Sequence, residues 1–175
     1  LRSADRVSVV TFATDARIDL PLTIDTTVAK SEIKSLVIDP KEERGSTNTG
    51  DALVKAQSEL NSTRHNPDAR SVVVPLTDGL ATAPEEEPEA FAIDAAAKLR
   101  TDEITVYTIG LGAAVNMDFL RQIATTPEQA YLAANTGTLA NIYSTITAAI
   151  CEDGAARIDV IPKTKNNFAP LESAP

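Results

Sequence analysis

Two short loops combine small residues, hydroxyls and a carboxylate, which are the residue types that bind hard cations. The first reads Gly-Ser-Thr-Asn-Thr-Gly-Asp over residues 45–51, and the second reads Leu-Thr-Asp-Gly over residues 76–79. Mg²⁺ takes oxygen ligands in near-octahedral geometry and usually keeps several waters, so one hydroxyl and one or two carboxylates can hold it. Together the two loops are a candidate for one shared divalent-cation site.

Each loop also has a purely structural explanation. Threonine-rich turns commonly cap helices, and Asp-Gly is an ordinary turn after a strand. A shared metal site requires that both loops lie at the carboxyl ends of neighbouring strands, where α/β folds bind their ligands. From the residues alone, a metal site and two structural turns both stay open.

Five apolar runs rich in β-branched residues predict the strands that position these loops. They lie at residues 7–12, 17–22, 71–77, 104–109 and 130–133. We expect the first to be a central strand covered on both faces, and the second to be an edge strand paired antiparallel with it. Pro75 lacks an amide donor, which predicts a local irregularity in the third strand.

Apolar residues at helical spacing predict five helices between and after these strands. Their apolar faces carry Ala29, Ile33, Leu36 and Val37; Ala52, Leu53, Ala56 and Leu60; Phe91, Ala95 and Leu99; Phe119, Leu120 and Ile123; and Leu139, Ile142, Ile146 and Ile150. Asp25 or Thr26 is expected to cap the first helix, and Asn116 the fourth. The alternation predicts an α/β fold with a doubly wound, mostly parallel sheet and helices on both faces.

Composition limits the function. The 175 residues, 43% of them hydrophobic, are enough for one main domain. A formal net charge of -9 repels phosphate backbones, so nucleic acid is not an expected partner. No run approaches the ~20 apolar residues that a membrane span requires. Hydrolase elbows, phosphate-binding glycine loops and Cys-His pairs do not occur in the sequence, so we expect a binding module and no enzyme.

Other polar residues carry weaker signals. His65, the single histidine, has no clustered partner and is expected to lie in a surface loop. Residues 61–63 match the glycosylation acceptor pattern, which recurs by chance. The acidic run Glu85, Glu86 and Glu87 is typical of a solvated loop, although its position after Asp78 would let it tune which partner fits.

Four blocks of the sequence resemble successive blocks of the von Willebrand factor A domain family. They are residues 5–12, 45–53, 72–79 and 106–112, and their order and separations also match. The resemblance covers residues 1–151 and leaves residues 152–175 as a tail or the start of a following module.

The resemblance also implies a metal-ion-dependent adhesion site. Thr47 would be its threonine ligand and Asp78 its acidic ligand, often acting through water. The cation would be Mg²⁺, or Mn²⁺ or Ca²⁺ in its place. One coordination position would be left for an acidic group of a protein partner, which would make binding dependent on the cation.

One feature of the family is missing from the sequence. Residues 1–175 contain no Asp-x-Ser-x-Ser run, the family's first metal loop, and the family's opening strand lies in the middle of the sheet. We therefore expect the first central strand to be supplied from outside this chain, by an upstream segment such as the other product of a cleavage. By the same resemblance, Cys151 would pair with an upstream cysteine; a half-buried thiol is the alternative.

These features give one leading hypothesis and two alternatives. The leading hypothesis is a metal-dependent adhesion or protein-binding module of a secreted or cell-surface protein. The first alternative is a structural domain of a surface fibre or matrix whose metal site is degenerate. The second is an intracellular subunit that couples an ATPase to a metal-chelatase-like machine.

Overall fold

The computed structural model describes residues 5–36 and 46–152, and these residues form an α/β fold of seven strands and five α-helices. The chain divides into two compact units, the first ending at Leu132 and the second beginning at Ala133. Val37, Gly45 and the predicted tail after Glu152 lie outside the described residues. No helix of the described part is both long and apolar enough to cross a membrane.

The first two strands form a hairpin. Strand β1 (Val7–Phe12) pairs antiparallel with β2 (Ala16–Thr23), as predicted. Within the described residues β1 has β2 as its hydrogen-bonded neighbour and shares no sheet with the parallel strands. β1 is half-buried along its whole length, whereas its apolar sequence predicts burial on both faces.

The parallel strands follow in two short pairs. Strand β3 (Val72–Val73) pairs with β5 (Thr105–Val106), and β4 (Leu76–Thr77) pairs with β6 (Thr108–Leu111). Strand β7 (Ala130–Ala133) extends the second group to the order β4-β6-β7. The loop after β4 therefore leaves the carboxyl end of a parallel strand, where ligands are expected.

The break between β3 and β4 falls at Val74 and Pro75, as the proline predicts. Proline keeps its carbonyl acceptor although it has no donor. The Ile109 amide donates to the Pro75 carbonyl at 3.0 Å, and the Tyr107 amide donates to the Val73 carbonyl at 3.0 Å. Hydrogen bonds thus continue across the irregularity and keep the loop after β4 in place.

The helices are α1 (Thr26–Ser35), α2 (Thr49–Leu60), α3 (Pro88–Thr101), α4 (Met117–Ile123) and α5 (Thr136–Glu152), with a 3-10 turn at Pro127–Gln129. The Asp25 and Asn116 side chains cap α1 and α4, as predicted, by accepting bonds from backbone amides of the first turn. The predicted apolar face of α1 is only partly correct. Ala29 is buried, but the Ile33 side chain is 54% exposed.

The core of the first unit lies between α2, α3, α4 and β5. Its buried members are mostly aliphatic, together with the aromatic Phe119. They include Leu53, Ala92, Ala95, Ala96, Leu99, Ile104, Val106, Leu120 and Ile123. The alanines keep the facing surface of α3 shallow, which lets helices approach closely. In the second unit, α5 buries Ile142 and Ile146 from its predicted apolar face, and Cys151 is half-buried.

The buried carboxylate of Glu59 fixes α2 to the hairpin and pairs with a half-exposed arginine. The Glu59 side chain is 2% exposed and accepts two bonds from the Arg64 guanidinium, at 2.8 Å and 2.7 Å. Its Oε1 atom also accepts a bond from the Leu22 amide at 2.7 Å. Arg64 in turn accepts a hydrogen bond from Arg6 at its carbonyl. These bonds, chiefly those from Arg64, hold the pKa of Glu59 below its ordinary value.

Replacing Glu59 with glutamine should destabilise the fold in a pH-dependent manner. The variant leaves buried hydrogen-bonding groups poorly matched, which costs about 1–3 kcal/mol at neutral pH. Because the folded-state pKa of Glu59 is lowered, its carboxylate contributes fully to the stability of the folded state above its ordinary pKa of 4.5. This stabilisation disappears as the pH falls through the folded-state pKa. Urea titrations should therefore show that the difference in free energy of unfolding between wild type and Glu59→Gln becomes smaller as the pH is lowered. A difference that stays constant down to about pH 3 would contradict this role.

Candidate metal centre

The first loop places Thr47 directly before α2. Helix capping in this loop is performed by Asn48, whose side-chain oxygen accepts a bond from the Asp51 amide at 3.0 Å. Thr47 is therefore not needed as a cap. Its hydroxyl has no hydrogen-bond partner among the described residues and is half-buried. The structural explanation of the threonine-rich turn thus applies to Asn48, and the Thr47 hydroxyl remains available to a ligand.

The turn of the β1–β2 hairpin holds this loop from one side. The Asn48 amide donates to the Ala13 carbonyl at 2.8 Å, and the Asn48 side-chain amide donates to the Thr14 carbonyl at 2.9 Å. The Asp51 carboxylate accepts a bond from the Ala16 amide at 2.6 Å. Asp51 is therefore engaged in the fold, although its carboxylate lies within the predicted metal loop.

The second loop places Asp78 immediately after β4. The Asp78 side chain is exposed, and its carboxylate makes no hydrogen bond or ion pair with any described residue. The next residue, Gly79, is so close to the first loop that a Cβ atom built on it would lie 3.8 Å from Thr47 Oγ1. The fold therefore brings the two predicted loops together at the carboxyl end of β4, with Thr47 beside the residue that follows Asp78.

Three hydrogen bonds join the two loops. The Thr47 amide donates to Thr82 Oγ1 at 2.8 Å. The Thr82 and Ala83 amides both donate to the Thr47 carbonyl, at 3.0 Å and 3.3 Å. Sequence reasoning missed Thr82, because nothing in the local pattern shows that it meets a residue 35 positions earlier.

The donor set fits a hard divalent cation. A hydroxyl and a carboxylate are oxygen donors of the kind that Mg²⁺, Mn²⁺ and Ca²⁺ prefer. No group of three or more His, Cys, Asp or Glu residues that could hold a metal occurs in the described ranges. The described part of this chain would thus supply one acidic ligand, and other oxygens must complete the coordination.

Comparison with known proteins decides the family. The sequence model for the von Willebrand factor type A domain matches residues 2–145, which is most of the chain. The chain belongs to this family. The order of the blocks around Thr47 and Asp78, inferred from the sequence, is therefore that of a von Willebrand factor type A domain.

Individual relatives agree with this assignment. The mouse collagen alpha-5(VI) chain is 30% identical over 150 residues, which are 85% of this chain and 5% of the collagen. The chain is also similar, with a TM-score of 0.71 and 23% identity, to proximal thread matrix protein 1 from the mussel byssus. In that structure the metal-ion-dependent adhesion site (MIDAS) motif is occupied by zinc. That similarity covers 83% of this chain and 35% of the mussel protein. Manganese-loaded TRAP protein of Plasmodium vivax has a TM-score of 0.58 and 21% identity over 77% of this chain and 55% of TRAP.

The structure also describes the other polar candidates of this von Willebrand factor type A domain. His65 Nε2 lies 3.0 Å from Ser71 Oγ, just before β3 and so at the opposite end of the parallel strands from Asp78. His65 is half-buried, whereas the sequence predicts a surface histidine. Glu85, Glu86 and Glu87 are all exposed, as expected of a solvated run.

Thr49 is a second residue that sequence reasoning missed. Its side chain is 1% exposed, and its Oγ1 atom has no hydrogen-bond partner within the described part of the chain. A buried hydroxyl without a partner costs about 1–3 kcal/mol, and such groups are rare in folded proteins. We therefore expect a polar group from outside the described residues to lie beside Thr49.

Close packing at the start of α2 gives a test of the loop geometry. A Cβ atom added at Gly50 would overlap the Phe91 ring of α3, approaching Cε1 to 2.5 Å. Gly50→Ala should therefore displace the ring and destabilise the domain by about 1–3 kcal/mol. Gly79→Ala is the matched control, because its Cβ would make an ordinary contact with Thr47 at 3.8 Å. Thermal unfolding of both variants checks this, and equal midpoints would contradict the described packing.

Proposed function

We propose that this domain binds a protein partner through a divalent cation held by Thr47 and Asp78. The observation that carries the proposal is the closeness of Gly79, the residue after Asp78, to the Thr47 hydroxyl at the carboxyl end of a parallel strand. Neither the Thr47 hydroxyl nor the Asp78 carboxylate has a partner in the described residues. A cation with open positions would accept a carboxylate from the partner. The role is therefore binding, and no catalytic step is proposed.

The comparisons support the choice of a divalent cation. The mussel thread protein has zinc at its MIDAS motif, and the Plasmodium TRAP protein is manganese-loaded. Thr47 and Asp78 would hold the ion, and an oxygen donor set favours Mg²⁺, Mn²⁺ or Ca²⁺ over softer metals. When bound, the ion supplies positive charge that attracts an acidic group and fixes its position.

A further polypeptide segment would complete the site. The family's Asp-x-Ser-x-Ser loop does not occur in residues 1–175. Two observations support a segment that pairs between the hairpin and the parallel strands. Among the described strands β1 and β4 lie in separate sheets, and Thr49 Oγ1 is buried with no partner there. A strand in that position would provide both backbone partners and the remaining metal ligands.

The surroundings of Asp78 favour a partner of particular chemistry. Leu80 is 50% exposed, and Glu85, Glu86 and Glu87 are all exposed in the loop that follows. No lysine or arginine occurs between Arg70 and Lys98. A partner whose acidic residue is accompanied by apolar and basic residues would therefore complement this edge of the domain.

The named relatives support an extracellular or cell-surface setting for this chain. They include a collagen chain, a byssal thread matrix protein and the vWF domain of a type V pilus tip protein. The collagen and the thread matrix protein also favour the second candidate function, a structural domain of a fibre or matrix. In that case the metal site would be degenerate and the domain would serve as a spacer.

Manganese binding distinguishes the two candidates. Asp78→Ala removes the only acidic ligand proposed here and should weaken Mn²⁺ binding by at least about tenfold, since even outer-shell changes reach that size. Thr47→Val should act in the same direction. Asp68→Ala is the control, because Asp68 is exposed before β3, at the other end of the parallel strands.

Electron paramagnetic resonance of free Mn²⁺ during a titration measures the affinity of each variant. If Asp78→Ala and Asp68→Ala bind Mn²⁺ as tightly as each other, the metal proposal fails and the structural candidate is preferred.

A further inference from the structure

Thr82 lies in the loop after β4 but is bonded to the metal loop before α2. Its hydroxyl accepts a hydrogen bond from the Thr47 amide at 2.8 Å, and its own amide donates to the Thr47 carbonyl at 3.0 Å. Both backbone polar groups of Thr47 are thus held by one residue. Because threonine is β-branched its side chain has few preferred orientations, so fixing its backbone also limits where its hydroxyl can point.

The segment that carries Thr82 is itself fixed. Ala81 and Ala83 are buried, while Leu80, Thr82 and Pro84 are exposed, so inward and outward positions alternate along it. The Ala83 amide adds a third bond to the Thr47 backbone by donating to its carbonyl at 3.3 Å. Buried neighbours on both sides of Thr82 keep its hydroxyl directed at Thr47, although the residue is exposed.

We propose that Thr82 is a positioning residue for the cation site, acting through Thr47. This inference rests on the proposed metal-binding function. Thr82 would set the direction of the Thr47 hydroxyl and keep the Thr47 loop against the Asp78 loop. It would also link the cation to the exposed segment that contains Leu80, so that metal affinity and the shape of the partner-facing edge depend on the same hydrogen bonds.

Two substitutions separate this role from a general effect on stability. Thr82→Val keeps the branched shape but removes the acceptor for the Thr47 amide, whereas Thr82→Ser keeps the hydroxyl. Thr101→Val is the matched control, because Thr101 also uses an exposed hydroxyl in one hydrogen bond, to the Ala97 carbonyl at 3.1 Å near the end of α3.

The Mn²⁺ dissociation constant and the metal-free unfolding midpoint are measured for each variant. We expect Thr82→Val to weaken Mn²⁺ binding by about tenfold, the size of an outer-shell effect. Its unfolding midpoint should fall no further than that of Thr101→Val. Thr82→Ser should bind Mn²⁺ like the wild type, and so should Thr101→Val.

Two results would overturn the Thr82 inference without touching the metal proposal. The first is wild-type Mn²⁺ affinity in Thr82→Val while Asp78→Ala binds weakly, which would refute Thr82 alone and leave the metal proposal intact. The second is weak binding by both Thr82→Val and Thr82→Ser with a matching fall in unfolding midpoint, which would make Thr82 merely structural. Equal binding by wild type and Asp78→Ala would instead refute the metal proposal, and the Thr82 inference with it.

Discussion

The loop before α2 is held by hydrogen bonds from two directions, and the candidate site depends on this constraint. On one side, the turn of the β1–β2 hairpin accepts two bonds from Asn48, and Asp51 accepts one from Ala16. On the other side, Thr82 and Ala83 bond to the backbone of Thr47. These bonds use the backbone groups of the loop and leave the Thr47 hydroxyl without a partner among the described residues. They also fix the position of Thr47 beside the Asp78 loop before any cation binds.

Prearrangement of this kind suits a binding site that is completed by its partner. One hydroxyl and one exposed carboxylate cannot satisfy a six-coordinate cation, so water and acidic groups from other segments or proteins must supply the rest. The ordering cost is reduced when the loops are held in place by the fold. The buried Thr49 hydroxyl has no partner in the described residues, which indicates that a polar group from another segment lies beside it.

Features set by local chemistry were predictable from the sequence, and features set by distant contacts were not. Asp25 and Asn116 cap helices because their side chains reach amides two or three residues away, and Pro75 interrupts a strand because it lacks a donor. The family resemblance placed Thr47 and Asp78 in loops that the fold brings together. By contrast, the engagement of Asp51 by Ala16 and the bonds of Thr82 depend on residues 35 positions away. Ile33 and β1 were predicted to be buried from their own apolar character, but burial also requires a neighbour to cover them.

The most direct test of the central claim is the anomalous scattering of Mn²⁺ in crystals of the domain. If Thr47 and Asp78 hold the cation, an anomalous peak should lie within bonding distance of Thr47 Oγ1 and within reach of the Asp78 carboxylate, directly or through one water. A peak bound by Glu85, Glu86 and Glu87 and remote from Thr47 would contradict the account, and so would crystals with no peak beside the two loops.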